Sequence, residues 1–156
     1  MAVLTIHHWS DWRRGVRELR RVARHRIVLF TFDTDAWNFW LTCDYFPELL
    51  ALDRQIMPPL YALAEELGAY DAIPVLVPHD CSDGFRGAYW RRPQVYLDPI
   101  ARRSMSSFAK IDASDGLSRL ADDLASGAWR ERNVEILTLD ELDVGHRLLT
   151  WCLRKV

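Results

Sequence analysis

Three short polar stretches carry side chains able to do chemistry, and each comes directly after an apolar run. His7-His8-Trp9 succeeds residues 2–6, Asp33-Thr34-Asp35 succeeds 27–32, and His79-Asp80-Cys81 succeeds 73–77. An imidazole titrating near neutrality can take a proton from an oxygen or nitrogen nucleophile. His8 and His7 are therefore the first candidates for a general base, ahead of His79. A histidine at a strand end serves equally well as a turn cap or as packing against its neighbour, here Trp9. Residue type alone leaves both roles open. His79-Asp80-Cys81 has ligand-type side chains, but adjacent residues seldom ligate one ion and no second pair stands nearby, so no metal is expected. Ligands of open α/β sheets sit outside the carboxyl ends of the strands. Trp9, Asp33, His79 and Asp80 are accordingly candidates for substrate contact.

These stretches need elements to hold them. Residues 2–6 and 27–32 are continuous apolar runs, and a strand apolar on both faces belongs inside a parallel sheet with helices above and below. Between them Ser10 reads as an N-cap. Over 11–24, Trp12, Val16, Leu19 and Ala23 recur at three- and four-residue steps, while Arg13, Arg17, Arg20, Arg21 and Arg24 take the other face. Strand, helix and strand make a βαβ unit with a right-handed crossover. Residues 37–55 read as helix interrupted at Pro47. Pro58-Pro59 starts a helix through Leu67 that Gly68 stops. Residues 73–77 read as a third strand ended by Pro78. Asp98-Pro99 begins a helix toward Lys110, and 114–126 form another closed by Gly127. Residues 144–153 look like a last, antiparallel strand. The fold class is α/β, a single domain over 1–156 with a helical insertion at 82–133. It is lopsided, because the first strand should have neighbours on both sides and only Met1 precedes it.

Composition narrows the classes. The chain has 156 residues, 49% hydrophobic and 27% charged, as expected of a soluble globular domain. A net charge of −2 argues against whole-chain attraction to nucleic acid or an anionic membrane. No apolar run approaches the roughly 20 residues of a membrane span, and no cleavable leader is recognisable. Cys43, Cys81 and Cys152 lie far apart with no C-x-x-C pair, which suits free thiols in a reducing cytoplasm. Seven tryptophans imply aromatic-lined packing or an aromatic-lined pocket.

The order of these features carries a family. "AVLTIHHWSDW" and then "GVRELRRVARHRIVLFTFD" resemble the middle of the class I, Rossmann-like, S-adenosylmethionine-dependent methyltransferases. The tail "PHDCSDGFRGAYWRRPQVYLDPIARRSMSSFAKI…DELDVGHRLL" resembles the C-terminal section of actinobacterial-type members. The resemblance implies a partial sheet equivalent to the fourth to seventh strands of that fold. It also implies that three earlier strand–helix units, roughly 90 residues at about 30 per unit, lie outside the chain. With them would go the Gly-rich cofactor turn and the acidic residue that holds the ribose. Gly84-Phe85-Arg86-Gly87 does not replace the Gly-rich turn, since it comes after a loop rather than a strand. By resemblance, Ala2, Leu4 and Thr5 lie nearest the methionine part of S-adenosylmethionine, and His7 and His8 nearer a small-molecule acceptor. The expectation is a methyltransferase half, truncated and inactive alone.

The insertion carries Phe85, Tyr89, Trp90, Tyr96 and Phe108, and is read as a substrate cover in which Tyr89 and Trp90 meet the acceptor. Packing between two helices would use the same aromatics. The alternative to a truncated enzyme is a non-catalytic interaction module, or half of a split enzyme. In either, the exposed edge of 2–6 would pair with a companion chain or a second copy. No nucleic-acid or membrane partner is expected.

Overall fold

A computed structural model describes residues 1–35 and 39–153. In chain order the strands are β1 (Ala2–Val3), β2 (Arg26–Phe32), β3 (Asp71–Pro74), β4 (Val77–Pro78), β5 (Glu141–Leu142) and β6 (His146–Cys152). The helices are α1 (Trp12–Val22), α2 (Pro47–Ile56), α3 (Leu60–Leu67), α4 (Pro99–Arg103), α5 (Ser114–Ser126) and α6 (Ala128–Arg132). The chain divides into two compact units. One comprises Met1–Trp37, Asp53–Val75 and Gly145–Val156, and the other Asn38–Leu52 and Leu76–Val144.

The first unit is built on a four-stranded sheet in the order β1-β2-β6-β3. β1 runs parallel to β2, with Ala2 opposite Leu29 and Val3 opposite Phe30. β6 runs antiparallel to both neighbours, as expected of the last strand. Ile27, Leu29, Leu149 and Trp151 on one face of the sheet cluster with Val16 of α1 and with Leu63 and Leu67 of α3, all nearly or fully buried. Each such side chain contributes about 1.5–3 kcal/mol by leaving water. The stripe read from the sequence is the packed one, since Trp12, Leu19 and Ala23 line the same cluster. On the outer side, Arg13 and Arg17 reach Glu66 of α3 at 2.9 and 3.3 Å.

Three boundaries differ from expectation. Asp11, not Ser10, caps α1, its Oδ1 accepting from the Arg14 amide at 2.9 Å. The strand expected over 2–6 is only Ala2–Val3. The Leu4 amide still reaches Phe30 O at 2.8 Å, but Leu4 has φ 45°, and this left-handed residue turns the chain out of the sheet. Ile6–His8 then forms a 3₁₀ turn that drops Ile6 into the core at 2% exposure. An apolar run thus need not be all strand, because Ile6 is buried by a turn. The strand expected over 73–77 begins earlier, at Asp71, and ends at Pro74; Val77 pairs instead with Leu142 in the two-stranded sheet of the other unit.

In the second unit the helix expected over 37–55 starts outside the described residues, and its described part is not one helix. Leu41–Tyr45 forms a wide π-type turn, closed by the Phe46 amide on Leu41 O at 2.9 Å. α2 begins at Pro47, whose missing N–H costs nothing in a first turn. Asp98 caps α4 through Ile100 N at 2.8 Å, but the helix stops at Arg103, and Ser106–Lys110 is a separate 3₁₀ turn. α5 occupies the expected span and ends at Gly127, φ 87°. The core is aromatic: Trp40 makes edge-to-face contacts with Tyr45, Tyr96 and Trp129 at 5.9, 5.6 and 5.2 Å.

Candidate functional site

Parallel pairing puts the carboxyl ends of β1 and β2 at one edge of the first unit's sheet, and β6 starts there, His146 opposite Phe32. Ala2 is buried in the sheet and Leu4 leaves it; Thr5 opens the turn, its carbonyl accepting from the His8 amide at 2.9 Å. His7 is half-buried and His8 exposed, with ring centroids 4.0 Å apart and planes tilted by 48°. Trp9 closes the turn on Ile6 O and packs against the core cluster.

Asp33 stands just past β2. Its amide donates to Gly145 O at 2.8 Å, its Oδ1 accepts from the Asp35 amide at 3.1 Å, and its Oδ2 lies 3.9 Å from Arg147 Nε. Arg147 is buried and also donates to His146 O at 2.9 Å. Directly opposite Arg147 in the ladder is Thr31, fully buried, whose hydroxyl has no hydrogen-bond partner among the described residues. Sequence reading missed Arg147 and Thr31. The available signal was a lone arginine inside the apolar run 144–153.

His79, Asp80, Tyr89 and Trp90 belong to the second unit. The His79 amide donates to Asp140 O at 2.8 Å, and Asp80 is exposed. Tyr89 is half-buried, edge-to-face with Tyr96 at 5.9 Å and under the Arg92 guanidinium at 4.9 Å. Trp90 has no exposed surface; its Nε1 donates to Val77 O at 2.9 Å and its carbonyl accepts from Trp40 Nε1 at 2.9 Å. Trp90 and Tyr96 are core, as the packing alternative holds. Burial pushes the Tyr96 phenol up, and its hydroxyl donates to Arg86 O at 2.6 Å.

The second unit also holds a polar cluster absent from the sequence reading. The Tyr45 hydroxyl donates to Asp123 Oδ2 at 2.7 Å and accepts from Arg132 at 2.6 Å, while Arg132 also meets Asp123 directly. Burial first, then the bond to Asp123, push the Tyr45 pKa up to about 12. Hydrogen bonds from Tyr45 and Arg132 hold the Asp123 carboxyl below its ordinary range. A cleft of about 450 Å³ opens here, lined by Asp44, Tyr45, Arg119, Asp122, Asp123 and Arg132. Among the described residues no group of three or more His, Cys, Asp or Glu is placed to hold a metal. No disulfide links Cys43, Cys81 and Cys152. No described helix is long and apolar enough to cross a membrane.

The fold is mixed α/β and methyltransferase-like. It matches the crystal structure of a "Putative methyltransferase from antibiotic biosynthesis pathway" of Anabaena variabilis, with a TM-score of 0.83 and 39% identity over 97% of this chain. The chain spans 64% of the length of that relative. No family model matches the sequence, and no curated protein does.

Proposed function

We propose that the chain is the later part of a class I, Rossmann-like, S-adenosylmethionine-dependent methyltransferase acting on a small molecule. The observation that carries this reading is the 39% identity to the Anabaena protein across 97% of the chain. A parallel β1–β2 pair and a β6 that runs antiparallel between β2 and β3 support reading the sheet as the fourth to seventh strands.

The described residues fit only part of a cofactor site. Leu4 and Thr5 leave β1 at the carboxyl edge, but no glycine stands in the turns after β1 or β2, where Leu4-Thr5 and Asp33-Thr34-Asp35 are found. Bound, the cofactor supplies an electrophilic sulfonium methyl. The acceptor side falls to this chain. An acceptor oxygen or nitrogen must be held in line, relieved of its proton and shielded from bulk water. His8, the more exposed imidazole, takes the proton, with His7 beside it; Asp33, fixed by Arg147 and backbone, orients the acceptor.

The test is calorimetry with S-adenosylmethionine on two proteins. One is this chain alone; the other is a chimera that adds the part of the Anabaena chain this one does not cover. Binding by the chimera only is expected. A folded chimera without binding overturns the methyltransferase reading, and binding by the chain alone overturns its incapacity.

A second reading, an interaction module, draws on β1 itself. Among the described residues β1 pairs with β2 alone, and Val3 is 51% exposed. Such an edge invites a strand from a companion chain or a second copy. Light scattering on a size-exclusion column tests self-pairing: a dimer that Val3→Lys converts to monomer supports it, and a monomer at high concentration removes it.

A further inference from the structure

Trp9 stands among the acceptor contacts read from the sequence, yet its surroundings give it different work. The ring lies on α1 at Gly15, where an added Cβ would sit 2.3 Å from Trp9 Cε3 and 2.7 Å from Cζ3. Carbon atoms do not approach so closely, so the seat exists because residue 15 has no side chain. Glycine weakens a helix interior relative to alanine, and nothing about α1 as a helix calls for it there.

The other side of Trp9 is the histidine turn. The Trp9 amide closes on Ile6 O at 3.2 Å, and the His8 amide on Thr5 O at 2.9 Å. Ile6 is buried at 2% exposure, and the Trp9 ring packs on the same core cluster. His7 and His8 are therefore the two residues between two anchors, one sunk in the core and the other seated on α1. A two-residue span fixed at both ends has little conformational freedom left.

We infer that Trp9 is a positioning residue: seated in the notch of Gly15, it holds the His7-His8 turn so that the two imidazoles meet at the carboxyl edge of the sheet. The functional value of this rests on the proton-handling role given to those histidines, but the geometry is a property of the free protein and is tested on it.

The experiment is side-chain NMR on the full chain, reading the His7–His8 inter-ring NOE and both sets of imidazole resonances, with His25 and His79 as internal references. Trp9→Phe keeps a ring over Gly15 and is expected to keep the NOE. Trp9→Ala is expected to lose it and to move the His7 and His8 resonances while the references stay. Gly15→Ala should reproduce the loss, and adding Gly15→Ala to Trp9→Ala should change nothing further, because no ring remains to be displaced. A Trp9→Ala protein with a dispersed amide spectrum and an intact NOE overturns the inference. So does a Gly15→Ala effect that persists undiminished in the Trp9→Ala background. If Gly15→Ala alone does not fold, the Phe and Ala variants of Trp9 decide the matter. Loss of S-adenosylmethionine binding in the chimera leaves these signals untouched, so the two readings fail separately.

Discussion

Gly15 of α1 and Gly116 of α5 sit inside α-helices, and each leaves room for a close neighbour. Propensity alone says that Gly116→Ala in α5 should stabilise the protein by about 1 kcal/mol. The packing says otherwise. A Cβ on Gly116 would lie 2.4 Å from the Tyr45 carbonyl oxygen and 2.5 Å from Phe46 Cε1. That carbonyl is main chain of the wide turn, and Arg119 also holds it at 2.9 Å, so it cannot swing aside. Restoring ordinary contact means moving α5 or the turn by about 1 Å, and such overpacking costs about 1–3 kcal/mol, sometimes more. A fixed main-chain oxygen and a ring both in the way put the cost in the upper half of that range, about 2–3 kcal/mol. Less the roughly 1 kcal/mol of propensity, the net loss is about 1–2 kcal/mol, which lowers Tm by about 3–6 °C for a chain of this size. At Gly15 the three nearest atoms all belong to the Trp9 ring, a side chain that can shift, and the fall in Tm for Gly15→Ala should be the smaller of the two. Differential scanning calorimetry and urea titration of both variants check this. A Gly116→Ala protein at or above the parent's Tm would refute the close backbone approach and with it the seating of α5 on the turn.

Asp11→Ala should cost about 0.5–2 kcal/mol in urea titrations and Ser10→Ala next to nothing, because the cap bond to Arg14 belongs to Asp11. Removing one partner of the pair between buried Arg147 and half-buried Asp33, as Asp33→Asn or Arg147→Met, should destabilise more than removing both; a double-mutant cycle reads the coupling, and strict additivity would deny the pair. Tyr45 titrates at about 12 in the fold against about 10 unfolded, so its contribution is complete below pH 10 and is lost as pH rises toward 12. Tyr45→Phe should therefore flatten the alkaline fall in stability measured by urea titration from pH 9 to 12, and an unchanged profile would contradict the burial of that hydroxyl.

What the sequence made legible was whatever one element decides by itself. Residues 114–126 and Gly127 announce a helix and its stop through period and a left-handed residue, and α1 shows its stripe in the same way. β6 was recognisable from its apolar run, and its direction was expected. The failures have one cause. Leu4 leaves the sheet at φ 45° because Ile6 is wanted in a core made by residues far along the chain, and an apolar pattern does not say whether strand or turn buries it. Gly116 looks like a flaw in α5 until Tyr45 is placed against it. The Tyr45–Asp123–Arg132 cluster joins residues separated by 78 and by 9 positions, and no local spacing encodes it. His7 and His8 were visible as residue types; that their rings meet was not.

The ladder between β2 and β6 shows where the sheet changes purpose. On the core face the opposed pairs run Ile27 with Trp151, then Leu29 with Leu149, and then Thr31 with Arg147. The first two pairs are the apolar contacts a core requires. The third buries a guanidinium and leaves the Thr31 hydroxyl with no bond among the described residues. Apolar residues of similar volume would serve stability as well or better, since desolvating an ion pair offsets much of its attraction. Stability therefore does not account for polarity at that position. The change falls at the carboxyl edge, where Asp33 faces Arg147 and where β1 turns into the histidine pair. Edges of this kind are where open α/β sheets hold their ligands. A polar, buried edge beside an apolar core is what a site needs when it must orient a polar group away from water.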